Sequence, residues 1–188
     1  MKVLLERFPY RYVECGTLEI NGMPDYRIQK ANTWSKRYSD MYLLDNKKFL
    51  IVGAGGAARA IATELANEAI SRVDITNRSH DKADEVVEIV KLLTQTDKFA
   101  SVLQSQIDFR SYDYVINATS LGLRTQDPLP FSISSLNSDC VVCDIIMKPK
   151  ETNLLKAANK AGMKVHYGKH MLDYQISFIA EFIEAFKP

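Results

Sequence analysis

The chain lacks long apolar runs, a surplus of charge and the cysteines needed to cross-link a fold. Its 188 residues include three cysteines, Cys15, Cys140 and Cys143. That is too few for a disulfide framework, so the expected setting is a reducing cytoplasm. No stretch approaches the roughly 20 apolar residues that a spanning helix needs, and no membrane partner is expected. The start, Met1-Lys2-Val3-Leu4-Leu5-Glu6-Arg7, carries charge inside its apolar run and does not read as a secretory signal. A formal net charge of +1 gives no electrostatic case for nucleic acid or an anionic membrane. Repeats and low-complexity tracts are also missing. With 46% hydrophobic residues, the chain can build the core of about one domain with room for an appendage.

The most informative segment is Leu50-Ile51-Val52-Gly53-Ala54-Gly55-Gly56-Ala57-Ala58. An apolar strand runs into a glycine-rich turn that opens a helix. The spacing Gly53-x-Gly55-x-x-Ala58 is the dinucleotide-binding fingerprint in its Gly/Ala form. Gly53 permits the tight turn, Gly55 leaves room for a pyrophosphate to approach backbone, and Ala58 lets helix and strand pack closely. The amides and dipole at the helix start favour phosphate. A purely structural strand-to-helix turn is the competing reading.

From Lys47 onward the chain alternates strand and helix. Strands are expected at Lys48–Val52, Arg72–Thr76, Phe99–Leu103, Asp113–Asn117, Cys140–Ile145 and Met163–His166. Helices are expected at Gly56–Ala69, Asp81–Leu93, Glu151–Ala161 and His170–Phe186. This rhythm predicts the α/β class, a Rossmann-like doubly wound parallel sheet over residues 47–188, covered on both faces. Residues 1–46 break the rhythm and form a short N-terminal appendage. There, Glu14–Ile20 and Tyr26–Gln29 suit a hairpin around Asn21-Gly22, and Ser35–Leu44 suits a short helix. The appendage is too small for a core of its own and must pack on the sheet domain or on another chain.

Cys140-Val141-Val142-Cys143 has the C-x-x-C spacing, but it lies in a buried-strand pattern. Residues three apart on a strand point to opposite faces, so core packing is expected and no metal site.

The chemistry is expected at the carboxyl ends of the strands. Arg72–Thr76 leads into Asn77-Arg78-Ser79-His80-Asp81-Lys82. An acid there selects NAD through the ribose 2′-hydroxyl, whereas a basic group welcomes the 2′-phosphate of NADP. Arg78 and Lys82, about one helical turn apart, suit a phosphate. Asp74 is the rival acid, but it lies within the strand, too early to reach the ribose. Ordinary solvated charges remain the alternative for Arg78 and Lys82. Asp113–Asn117 leads into Ala118-Thr119-Ser120-Leu121-Gly122, whose small and hydroxyl residues suit a nicotinamide ribose over backbone. A plain loop is the alternative there.

These blocks, in this order, resemble the shikimate dehydrogenase family. The matching pieces are Ile51 to Ala60, Asn77-Arg78-Ser79 with Lys82-Ala83, and Ile116-Asn117-Ala118-Thr119-Ser120-Leu121-Gly122. Asp144-Ile145 with Pro149 and Thr152 follows, then Gly168 with Met171-Leu172 and Gln175. The resemblance covers about residues 46 to 186. It implies an NADP-dependent oxidoreductase that reduces 3-dehydroshikimate to shikimate, by hydride transfer from nicotinamide and protonation of the new alkoxide. By position, Gly53, Ala54, Gly55, Gly56 and Ala57 would hold the pyrophosphate. Asn77, Arg78, Ser79 and Lys82 would hold the 2′-phosphate. Thr119, Ser120 and Leu121 would line the nicotinamide half, with Ile145, Gly168 and Met171 near the ring. Gln175 would hydrogen-bond a hydroxyl of a small-molecule, shikimate-like substrate; its other reading is a polar residue on an exposed helix face.

Departures from the family are as informative. The family's N-terminal substrate domain supplies a serine pair for the carboxylate and a lysine for proton transfer, and residues 1–46 offer neither. Ala31-Asn32-Thr33 is followed by Trp34 where the family has a catalytic aspartate. Cys15-Gly16-Thr17 stands where Val-Asn-Thr would offer a substrate-binding asparagine, and Met147-Lys148 replaces a common Tyr-Asn pair. No catalytic residue is therefore assigned. The appendage is expected to be a remnant of the substrate domain or a linking segment, and an apolar face left bare by a missing domain would favour a homodimer. A quinate/shikimate-like dehydrogenase paralogue is one alternative, and two other readings stay open. One is a non-catalytic NADP(H)-binding module. The other is a different Rossmann enzyme: a methyltransferase, which usually has an acid where this chain has Asn77, or a glutamyl-tRNA reductase, whose nucleophilic cysteine Cys15 does not obviously provide.

Overall fold

The structure, a computed structural model, describes residues 2–7, 10–17, 24–31 and 38–40 by their backbone, and residues 44 and 46–169 in full. The chain divides into two units, Met1–Leu44 and Asp45–Pro188.

In the first unit, strands β1 (Lys2–Arg7), β2 (Tyr10–Thr17), β3 (Pro24–Ala31) and β4 (Tyr38–Asp40) form an antiparallel sheet in sequence order. The expected hairpin is the β2–β3 pair, running from Tyr10↔Lys30 to Thr17↔Pro24. Its strand starts four residues earlier than Glu14, and the turn at Asn21-Gly22 lies outside the described residues. The helix expected over Ser35–Leu44 is corrected: Tyr38–Asp40 is strand β4, paired with Gln29–Ala31. Three residues that pair with a neighbouring strand gain a ladder of hydrogen bonds that a lone polar turn of helix cannot match.

The second unit carries a six-stranded parallel sheet. It is built from β5 (Lys48–Val52), β6 (Arg72–Thr76), β7 (Phe99–Ser101), β8 (Tyr114–Asn117), β9 (Val141–Asp144) and β10 (Lys164–Tyr167). Their spatial order is β7-β6-β5-β8-β9-β10. The order reverses between β5 and β8, which is the switch point of a doubly wound sheet and opens a crevice beyond the strands' carboxyl ends. Helix α1 (Gly56–Ala66) packs on β5, α2 (His80–Thr94) on β6 and β7, and α3 (Asn153–Lys160) on β9 and β10.

Alternation along the strands builds the two faces. Leu50, Val52, Val115 and Val142 join Leu154, Leu155 and Ala158 of α3 in one buried cluster. Phe49, Ile51, Val73 and Ile75 are buried as well, as are Ala58 and Ala62 of α1 and Val86 and Val90 of α2. At the opposite end from the crevice, Asp113 ties β5 to β8. It accepts from Lys47 Nζ at 2.8 Å and from the Lys48 backbone N–H at 2.9 Å.

Helix α1 ends three residues before the expected Ala69. Asn67 caps it, donating its N–H to the Glu64 carbonyl, and Ile70 turns into the core at 3% exposure. Helix α3 starts at Asn153 because the Thr152 hydroxyl accepts from the Leu155 N–H, a side-chain cap on the first turn. The helix expected over His170–Phe186, with Met171 and Gln175, lies outside the described residues.

Candidate functional site

The β5–α1 turn is shaped by close backbone approach. Gly53 sits at φ +118°, and a Cβ there would lie 2.6 Å from the Ala118 carbonyl oxygen. Only glycine fits, because both the conformation and the space reject a side chain. The Gly53 N–H donates to the Thr76 carbonyl at 2.8 Å, which locks the turn to β6. Gly55 and Gly56 are the opposite case: a Cβ on either would meet nothing within 4 Å. They face open space, and no described side chain caps α1. The first amides of the helix are thus available to an anion. Ala58 is fully buried, as close helix–strand packing demands.

Beside this turn, β6 ends at Thr76 and α2 begins at His80. The Asn77 amide donates to the Ser79 carbonyl at 3.0 Å and shapes the link. Ser79 is the N-cap residue of α2 but makes no side-chain cap. Arg78 and Lys82 are exposed, and neither forms an ion pair among the described residues. Asp74, the rival acid, is 4% exposed inside β6. Arg72 Nε donates to one of its oxygens at 2.7 Å and the Tyr112 hydroxyl to the other at 2.7 Å. It faces the sheet's interior and cannot meet a ribose at the edge. A half-open pocket of about 200 Å³, lined by both polar and apolar residues including Thr76, Gln104, Ile107 and Phe131, adjoins the same strand ends.

Across the switch point, Asn117 ends β8 and Asp144 ends β9, each buried, and they are paired in register. Thr119 and Leu121 are half-buried and Ser120 is exposed on the loop that follows β8. The Ile145 N–H donates to the Asn117 carbonyl at 3.2 Å. Gly168, just after β10, approaches so closely that a Cβ would lie 2.4 Å from the Ile145 carbonyl. Burial pushes the Asp144 carboxyl above its ordinary range, against hydrogen bonds from Ile146, Thr152 and Asn117 that favour the charged form.

Of the residues singled out by sequence, Gly53 to Ala57, Asn77, Arg78, Ser79, Lys82, Thr119, Ser120, Leu121, Ile145 and Gly168 all lie at the carboxyl ends of β5, β6, β8, β9 and β10. Met171 and Gln175 lie outside the described residues. Sequence reasoning missed the buried roles of Asn117, Asp144 and Thr152. The available signal was a polar residue closing each of two apolar strands. Cys140 is a core residue at 1% exposure and Cys143 is half-buried; burial pushes both thiols up to about 12, which suits packing and not redox chemistry. No cluster of three metal-ligating side chains occurs among the described residues.

Residues 36–124 match the family described as shikimate / quinate 5-dehydrogenase. A shikimate dehydrogenase (NADP(+)) of Geobacillus kaustophilus is 36% identical over 133 residues, 70% of this chain and 48% of that protein. The chain carries a region of the shikimate/quinate dehydrogenase family. Solved structures agree in fold. A quinate dehydrogenase from Corynebacterium glutamicum in complex with NAD superposes with a TM-score of 0.64 at 27% identity, over 70% of this chain and 47% of that one. A shikimate dehydrogenase in complex with NADP+ gives 0.64 at 29% identity, over 79% of this chain and 57% of that one. The chain spans about half the length of the curated family members it matches.

Proposed function

We propose that the second unit binds NADP(H) along the carboxyl edge of its parallel sheet, in an oxidoreductase of the shikimate dehydrogenase type. The observation that carries this reading is the pairing of two helix starts without side-chain caps, α1 and α2, with two cations that form no ion pair among the described residues. Open space outside Gly55 and Gly56 leaves the α1 amides free for the pyrophosphate. Arg78 and Lys82, exposed and without an ion pair among the described residues, would meet the adenosine 2′-phosphate. Asn77 and Ser79 shape that anion site. Thr119, Ser120 and Leu121 carry the nicotinamide ribose, with Ile145, Gly168 and Met171 beside the ring and Gln175 on the substrate. When bound, the coenzyme supplies a hydride to the ring ketone of 3-dehydroshikimate. The protein's own part is to fix the coenzyme's position and to exclude water from its reacting face.

A second reading has its own support. Trp34 follows Asn32-Thr33 where the resemblance calls for an acidic residue, and a positioned acid or base contributes roughly 10²–10⁴-fold to rate. In that reading the chain holds NADP(H) and performs no reduction by itself. Calorimetric titration with NADPH and NADH tests the coenzyme claim. NADPH should bind at least about tenfold more tightly, and Arg78→Gln with Lys82→Gln should abolish that margin while leaving NADH unchanged. Equal affinity for both coenzymes in the unmodified protein refutes the assignment. Coenzyme oxidation on addition of 3-dehydroshikimate separates the two readings: turnover supports the enzyme, and binding without turnover supports the module.

A further inference from the structure

At the carboxyl ends of β8 and β9, buried side chains form one continuous run of hydrogen bonds. Asn117 uses its full capacity. Its amide donates to the Leu121 carbonyl at 3.0 Å and to Asp144 Oδ1 at 3.2 Å. Its oxygen accepts from the Thr119 N–H at 3.1 Å and the Thr119 hydroxyl at 2.7 Å. Asp144 Oδ1 also accepts from the Ile146 N–H at 3.0 Å, and Oδ2 accepts from the Thr152 hydroxyl at 2.7 Å. Thr152 in turn caps α3. Asn117 and Thr152 are fully buried and Asp144 is 2% exposed.

The run ties the loop 118–122 to α3. Gly122, at φ +115°, rests against the same residues: a Cβ there would lie 3.2 Å from Ile146 Cδ1 and 3.4 Å from Thr152 Cβ. Farther along, Asn153 donates to the Thr125 carbonyl at 2.8 Å. None of these bonds reaches α1, β6 or α2. Apolar residues of similar shape would fill the space at no greater cost, so a buried, fully satisfied network contributes orientation more than stability.

We propose that Asn117, Asp144 and Thr152 are positioning residues: they latch the loop 118–122 to the start of α3 and so fix the surface on which the nicotinamide half of NADP(H) rests. This inference rests on the coenzyme-binding reading above. The adenosine half would be held by the turn after β5 and the start of α2, to which none of these side-chain hydrogen bonds runs; the loop's first residue, Ala118, meets that turn at Gly53 through backbone. Breaking the latch therefore separates the two halves of the ligand.

The test uses Thr152→Val, which keeps the shape and removes the hydroxyl, and Thr152→Ser, which restores it. Each is titrated with NADPH and with 2′-phospho-ADP-ribose, which lacks nicotinamide. Thr152→Val should weaken NADPH about tenfold and 2′-phospho-ADP-ribose less than about twofold, with loss of the fluorescence enhancement of the bound nicotinamide. Thr152→Ser should restore both values. Asp144→Asn serves the same test if Thr152→Val fails to fold, as judged by circular dichroism. Equal weakening of both ligands, or of neither, overturns the latch. An unmodified protein that binds neither ligand overturns the coenzyme reading first, and the latch with it.

Discussion

The two sides of the switch point hold their loops by different means. On the β5–β6 side the turn is made by backbone: Gly53 presses on Ala118, the Gly53 N–H bonds the Thr76 carbonyl, and the charged groups Arg78 and Lys82 stand in solvent. On the β8–β9 side the loop is held by buried side chains, Asn117, Asp144 and Thr152. A backbone turn leaves its amides free for a ligand. A side-chain network spends its polar groups on itself and gives a fixed platform. One edge of the sheet thus divides into a side with open amides and exposed cations and a side closed by its own buried side chains.

The largest expected effects come where backbone meets backbone. Gly53→Ala and Gly168→Ala should each cost about 3 kcal/mol, because the new methyl meets a carbonyl and, at Gly53, a positive φ as well. Urea unfolding measures this, and a loss under about 0.5 kcal/mol in either would show that the close approach relaxes without strain. Next is the buried network. Asp144→Ala leaves the Thr152 hydroxyl, the Asn117 amide and the Ile146 N–H short of an acceptor, and should cost about 2–3 kcal/mol. Arg78→Gln, on the open side, should stay within about 0.5 kcal/mol by the same measurement. Equal costs at the two sites would erase the contrast drawn here.

Smaller effects sharpen it. In a protein carrying Cys15→Ser and Cys143→Ser, Cys140 should resist a thiol reagent at mildly alkaline pH until the fold is opened, since it is 1% exposed and burial holds its thiol near 12. Its fast reaction in the native state would contradict core packing. The two carboxylates at opposite strand ends should respond to pH with opposite signs. Asp113 is held below its ordinary range because bonds from Lys47 and Lys48 outweigh burial. Its contribution is present above the ordinary carboxylate value and lost as pH falls through the lowered one. Burial raises Asp144, so its contribution is present at low pH and lost as pH rises through the raised value. Urea midpoints followed through the acid range should show Asp113→Asn flattening the acid loss and Asp144→Asn steepening it; the same change in slope for both would refute the assignment.

Much of the second unit was legible in order and type. Short, nearly continuous apolar strands and helices with stripes such as Ala83, Val86, Val87 and Val90 carry their structure locally. Boundaries were less so: α1 stops at Ala66 because Asn67 caps it and Ile70 turns inward, which no stripe reveals. The helix expected at Ser35–Leu44 failed because Tyr38–Asp40 pairs with Gln29–Ala31, 7 to 11 positions earlier, and that pairing overrode local preference.

The sequence alone determined the parallel α/β sheet, the glycine turn and the cationic start of α2, because each is written in contiguous residues whose backbone and charge act locally. Only the tertiary structure decided that Asp74 faces the interior, that Gly53 lies against Ala118, and that Asn117, Asp144 and Thr152 meet. Those contacts join residues from 8 to 65 positions apart, and hydrogen bonds and close packing at that range depend on strand order, which no single stretch of sequence contains.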